Sequence, residues 1–194
     1  MSLAIDLSAS LHDNSGFIDY VSKESGQPVE QCYQCGKCTA GCPVAFAMDF
    51  PPHRVIRLVQ LGLQEQVLSS QAIWICAGCS TCTSRCPRNV DLARVMDCLR
   101  GLAKRNGVKT QGRAKDVSTF YDCFLNTVKG NGKLYELGMM LKYNLKTRHI
   151  FQNSSTGLAM FSRNKIKLLP ARNKSHRDIE LIFRRVRELE ENDK

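Results

Sequence analysis

Between Asp91 and Gly107 the apolar residues Leu92, Val95, Met96, Leu99, Leu102 and Ala103 recur at intervals of three and four. At 3.6 residues per turn, that spacing lines them up on one stripe of a helix. Asp91 is suited to cap the start of this helix and Asn106-Gly107 to stop it. Val55, Ile56, Leu58, Val59 and Leu63 make a broader apolar face. Asp49-Phe50-Pro51-Pro52 reads as the start of that helix, because proline is tolerated in a first turn, and Gly62 as its end. Ser15–Ser25 predicts a short helix ended by Gly26, and Ser70 is placed to cap a turn through Trp74.

Farther along, Val117, Phe120, Tyr121, Phe124, Leu125 and Val128 repeat the helical period ahead of Gly130-Asn131-Gly132. Leu134–Leu145 predicts one more helix, and Gln152–Gly157 has the composition of a linker. Ser175 with Asp178 has the form of a capping box. Ile179, Ile182, Phe183 and Val186 then give an amphipathic face. No segment predicts a strand, so the expected class is all-α.

Two segments break this helical pattern, and both are rich in cysteine. The first is Cys32-x2-Cys35-x2-Cys38-x3-Cys42-Pro43 and the second is Cys76-x2-Cys79-x2-Cys82-x3-Cys86-Pro87. Each reproduces the C-x2-C-x2-C-x3-C-P spacing of two-cluster ferredoxins. Two intervening residues let one loop wrap three thiolates around three irons of a cubane. The fourth thiolate points away toward the neighbouring cluster, and the proline bends the chain out of the site. By that rule Cys32, Cys35, Cys38 and Cys86 are the expected ligands of one [4Fe-4S] cluster. Cys76, Cys79, Cys82 and Cys42 are those of the other. Zinc is the competing chemistry, usually held by separated C-x2-C pairs or by thiolates with histidine. None of His12, His53, His149 or His176 lies in either loop.

Composition narrows the reading further. Ten cysteines in 194 residues is a high count for a chain whose Met1–Ser10 has neither a basic residue nor a long apolar core. The expected setting is therefore cytoplasmic, with metal chemistry ahead of a disulfide framework. No apolar run approaches the ~18 residues of a membrane span, so no integral membrane segment is expected. Cys98 and Cys123 read as small buried apolar residues. Lys37 and Arg85 read as solvent-facing side chains within the loops, and Trp74 as a cover over a cluster.

The net charge of +10 is uneven. Residues 1–100 hold 8 Lys/Arg against 9 Asp/Glu, and residues 101–194 hold 20 against 9. Each oxidised cubane with four thiolates carries about −2, which makes the cysteine-rich half more negative still. A strongly basic half suits an acidic partner surface or, in a zinc-stabilised binding module, nucleic acid. The basic segments lack the interleaved aromatics of a nucleic-acid surface, so no nucleic acid is expected.

CYQCGKCTAGCPV (Cys32–Val44), VIRLVQLGL with VLSS (Val55–Ser70) and IWICAGCSTCTSRCPRNVD (Ile73–Asp91) resemble the C-type iron–sulfur subunit of heterodisulfide reductase. The resemblance covers about residues 15–107. It implies an α-helical ferredoxin with two cysteine-loop [4Fe-4S] sites. It also implies an electron-transfer role between two other chains of such a complex. One is the A-type subunit, which holds flavin and iron–sulfur clusters. The other is the catalytic B-type subunit with its CCG motifs. No Cys-Cys pair occurs here, so the catalytic motif is absent from this chain. The cysteine motif is also shared with helical ferredoxin modules of other anaerobic and sulfur-metabolism oxidoreductase complexes. The expected organisation is an N-terminal arm (1–14), the ferredoxin domain (15–107), a helical extension (108–151) and a linker with a basic helical tail (152–194). A hetero-oligomer is expected.

Overall fold

In the computed structural model the described residues are 15–148, 163 and 176–192. They form ten α-helices and no strand. These are α1 (Ser15–Ser25), α2 (Lys37–Ala40), α3 (Pro52–Gln60), α4 (Gln64–Ser69), α5 (Ala72–Ile75), α6 (Thr81–Arg85), α7 (Leu92–Arg105), α8 (Gly112–Asn131), α9 (Glu136–Thr147) and α10 (His176–Asn192). Short 3-10 turns occupy Val29–Gln31 and Ala45–Ala47. Among the described residues no helix is long and apolar enough to cross a membrane. The chain divides into two compact units, residues 1–115 and 116–194.

The first unit is built around α7. Its stripe of Leu92, Val95, Met96, Leu99 and Ala103 is buried as the spacing predicts. α1, α4, α5 and α6 pack against it. Asp91 caps it, the side chain accepting from the backbone N–H groups of Ala93 and Arg94. Three helices end alike. The N–H of the residue after the glycine reaches back to a carbonyl five residues earlier: Gln27 to Ser22, Leu63 to Leu58 and Val108 to Ala103. Gly26, Gly62 and Gly107 all have φ between 62° and 71°, the left-handed position that closes a Schellman motif. These glycines are therefore the physical stops of α1, α3 and α7.

One capping expectation fails. Ser70 does not cap the turn through Trp74, and its hydroxyl is buried without a hydrogen-bond partner. Asp49 does that work from 22 residues upstream, accepting from Gln71 N–H at 2.7 Å and Ala72 N–H at 2.9 Å. Pro51, not Asp49, stands at the cap position of α3, with Pro52 in its first turn. A carboxylate near the N-terminus of α5 meets its free N–H groups and the positive end of its dipole. Asp49→Ala is expected to lower stability by about 1–2 kcal/mol. Urea unfolding would measure this, and Asp49→Asn should recover part of the loss.

In the second unit Phe120 of α8 meets Tyr143 of α9 edge to face, with ring centroids 5.8 Å apart. Cys123 is fully buried, as expected for a small apolar residue. Ser175, the expected capping residue of α10, lies outside the described residues. None of the described side chains of α10 is buried, and Ile182 is 61% exposed. α10 carries four arginines against five acidic residues, so this helix is not itself basic. Deleting residues 176–194 is expected to change stability by less than about 1 kcal/mol, because no core is opened. A thermal melt of the truncated chain checks this.

Candidate iron-sulfur centres

The two cysteine loops share one backbone design. Each carries a left-handed residue on either side of its second cysteine. These are Gln34 (φ 63°) and Gly36 (φ 76°) around Cys35, and Gly78 (φ 61°) and Ser80 (φ 56°) around Cys79. Each loop thus has one glycine and one strained side-chain residue at these places. Left-handed backbone at a residue other than glycine costs on the order of 1–2 kcal/mol and persists where the surroundings demand it. The spacing predicts loops throughout both segments, and here the structure differs. Each third cysteine sits on a single helical turn, Cys38 on α2 and Cys82 on α6, and these two turns pack on each other. Gly36 and Ser80 stand at the N-caps of those turns.

Cys42 from the first loop lines one cavity with Cys76, Cys79 and Cys82 from the second. Met48, Pro52, Leu92, Ala93 and Met96 supply apolar wall around them. The cavity holds about 370 Å³ of space free of protein atoms, part of it open to solvent. In the other loop, Cys38 has Cys32 and Cys82 as electrostatic neighbours. Tyr33 has both Cys35 and Cys86, so Cys86 stands by the first loop although it belongs to the second. Cys35 and Cys79 are the exposed members of the eight. Among the described residues no three His, Cys, Asp or Glu side chains are grouped to hold a single metal ion. The cysteines are spread around a space, not closed upon a point.

Hydrogen bonds to sulfur are frequent. Val90 N–H donates to Cys86 Sγ at 3.4 Å, and Gln34 Nε2 donates to Cys32 Sγ at 3.5 Å. Thr81 Oγ1 lies 3.4 Å from Cys79 Sγ. The Thr81 hydroxyl and N–H hold the Cys79 thiol below its ordinary pKa. Burial pushes Cys38, Cys76 and Cys82 up, against hydrogen bonds from Thr39, Gly78 and Thr83 respectively. Half-buried thiols of this kind stay protonated until a cationic core makes their ionisation favourable, so ligation must release protons. Eight thiols, none in a disulfide, with N–H groups aimed at the sulfurs, fit such a core. Cys98 differs. It is half-buried on α7 and pushed up to about 11 by burial first and by Glu24 second, which suits a neutral thiol.

Several supporting residues carry no sequence signal. Gln60 of α3 donates to the carbonyls of Val29 at 3.1 Å and Cys32 at 2.9 Å, which anchors the entry to the first loop. Arg100 of α7 donates to the Cys76 carbonyl at 3.2 Å and does the same for the second loop. Arg85 is solvent-exposed, but its stem crosses the first loop so closely that a Cβ at Gly41 would lie 2.6 Å from Arg85 Cδ. Trp74 is buried in the core on α5 and is not part of the wall around Cys42, Cys76, Cys79 and Cys82.

Comparison with known proteins follows the same residues. Residues 28–90 match the family described as the 4Fe-4S dicluster domain. The chain is 37% identical over 109 residues to the iron-sulfur C 2 subunit of the CoB–CoM heterodisulfide reductase of Methanocaldococcus jannaschii, covering 56% of this chain and 58% of that one. It is 39% identical over 79 residues to the iron-sulfur C subunit of the CoB–CoM heterodisulfide reductase of Methanopyrus kandleri, covering 41% of each chain. It is 38% identical over 103 residues to the C2 subunit of the H2/formate:CoB-CoM heterodisulfide,ferredoxin reductase of Methanococcus maripaludis, covering 48% and 55%. The chain spans about half the length of the curated relatives it matches. The likeness to the C-type subunit of heterodisulfide reductase, read from the cysteine motifs, is therefore a finding, and the cofactors are two [4Fe-4S] clusters.

Proposed function

We propose that this chain is the iron–sulfur electron-transfer subunit of a heterodisulfide reductase-like complex. Its partners are the A-type subunit, with flavin and iron–sulfur clusters, and the catalytic B-type subunit, with CCG motifs, in a cytoplasmic hetero-oligomer. The observation that carries this reading is the cavity shared by Cys42 with Cys76, Cys79 and Cys82. One cluster is assigned to those four cysteines and the other to Cys32, Cys35, Cys38 and Cys86. The bound clusters supply one-electron reduction and oxidation.

The protein's own residues hold and tune the sites. Gln60 and Arg100 fix the loop entries, and backbone N–H groups meet the negative sulfurs. The apolar wall of Met48, Pro52 and Met96 limits water. Cluster net charge, hydrogen bonds to sulfur and exposure set the potential. The chain contains no CCG motif, and in this reading disulfide cleavage belongs to the B-type subunit.

The test uses anaerobically purified holoprotein. It should be brown, hold about eight irons per chain, and accept reducing equivalents from a chemical donor. Offered a heterodisulfide alone, it should not turn over; mixed with the CCG-motif subunit of a heterodisulfide reductase, it should. Sustained turnover without a partner, or a colourless zinc protein, would overturn the proposal.

A further inference from the structure

Gln34 stands between the first two cysteines of the first loop, with its backbone in the left-handed region at φ 63°. The equivalent place in the second loop is Gly78, at φ 61°. Glycine takes that conformation without strain, and a Cβ built on Gly78 would meet nothing within 4 Å. The two loops thus share a backbone course here and differ by one amide side chain.

That amide reaches a sulfur. Gln34 Nε2 donates to Cys32 Sγ at 3.5 Å and to Gln60 Oε1, also at 3.5 Å. An amide's nitrogen is told from its oxygen by what each end faces, and here main-chain carbonyls decide it. Gln60 faces the carbonyl oxygens of Val29 at 3.1 Å and Cys32 at 2.9 Å. A carbonyl only accepts, so the Gln60 nitrogen lies on that side and both its hydrogens are used. Its oxygen then faces Gln34 and Arg57, whose Nη1 donates to it at 3.4 Å. A guanidinium only donates, which agrees with that orientation. An amide oxygen only accepts, so the Gln34 atom turned toward it is the nitrogen. That nitrogen has two hydrogens, one for Gln60 and one for the Cys32 sulfur. The bond to sulfur therefore has one direction, set by two main-chain carbonyls.

We infer that the Gln34 amide raises the reduction potential of the cluster bound through Cys32, with Gln60 as the residue that aims it. The inference rests on the reading of the eight cysteines as cluster ligands. One electron from a reductant leaves the ligating sulfurs more negative. A hydrogen bond to sulfur stabilises that reduced state more than the oxidised one, and so raises the potential. Gly78 has no side chain to offer Cys76, so the effect is confined to the site that contains Cys32.

The experiment is a redox titration of the full-length holoprotein followed by electron paramagnetic resonance, which reads two midpoint potentials. The signal lost in Cys32→Ala identifies the cluster concerned. Gln34→Gly copies the second loop: it removes the amide and leaves a residue suited to the left-handed backbone. Both clusters should assemble with iron content unchanged. The potential of the identified cluster should fall by about tenfold in the reduction equilibrium constant, which is 59 mV for one electron. Gln34→Met, with an unbranched side chain of similar length and no N–H, should lower it as much. Gln60→Met should lower it too, and should add little to Gln34→Gly, because the two act through one hydrogen bond. The other potential should stay in place throughout. A potential unmoved by Gln34→Gly and Gln34→Met, or an equal shift of both potentials, would overturn the inference while leaving the electron-transfer reading intact. A Gln60→Met shift undiminished in the Gln34→Gly background would overturn the aiming role. A wild-type chain that assembles no clusters would overturn the inference and the electron-transfer reading together.

Discussion

Cys42→Ala should abolish the cluster whose other ligands lie in the second loop, although Cys42 is 34 residues from the nearest of them in sequence. Bound iron should fall from about eight to about four per chain, and one of the two paramagnetic signals should vanish. The reason is geometric. Cys42 leaves the first loop just before Pro43 and faces the cavity lined by Cys76, Cys79 and Cys82. Cys86→Ala should remove the other signal, because Cys86 stands by Tyr33 with Cys35. Each variant should therefore damage the cluster of the opposite loop. Loss of the same-loop signal in both variants would refute the crossed assignment. The stability effect should exceed that of an ordinary surface change, since each crossing ligand ties α2 and α6 together. Helices of four or five residues do not persist alone in water.

Leu99→Ala should destabilise the first unit by about 2–5 kcal/mol. Leu99 has no exposed surface and sits on the buried stripe of α7, the helix against which α1, α4, α5 and α6 pack. Removing its branched end forfeits transfer energy and leaves a cavity that four surrounding helices cannot all close. The denaturant midpoint should fall with little change in slope. Leu102, next on the stripe but only half-buried, should cost clearly less when truncated. Iron content should survive the change, because the α7 residues that wall the cavity are Leu92, Ala93 and Met96. A loss below about 1 kcal/mol would mean that α7 is not the centre of the core.

Much of this molecule is legible from local pattern. The stripe of α7, its Asp91 cap and the stops at Gly26, Gly62 and Gly107 are all properties of neighbouring residues. Period, capping chemistry and glycine's tolerance of positive φ act within a turn or two of chain. The eight cysteines announce their chemistry by spacing alone, because a cubane dictates the reach of the loop that wraps it. Sequence reading errs where the partner is remote. Ser70 has the place of a cap for α5 because it is adjacent, yet Asp49 reaches the same N–H groups across a fold in the chain.

Other features exist only once the chain has packed. Gln60 on Cys32, Arg100 on Cys76, and the meeting of Cys42 with the second loop each join segments more than twenty residues apart. The clearest case is a pair of threonines. Thr39 and Thr83 occupy equivalent places in two loops of the same spacing, and nothing beside them in sequence tells them apart. Packing brings a histidine from α3 behind one and the capping aspartate of α7 behind the other. The helices, their stops and the kind of metal centre follow from covalent spacing and local backbone energetics, which any stretch of sequence carries with it. Which group stands behind each hydroxyl depends on how helices cross, and a hydrogen bond registers distance in space, not along the chain.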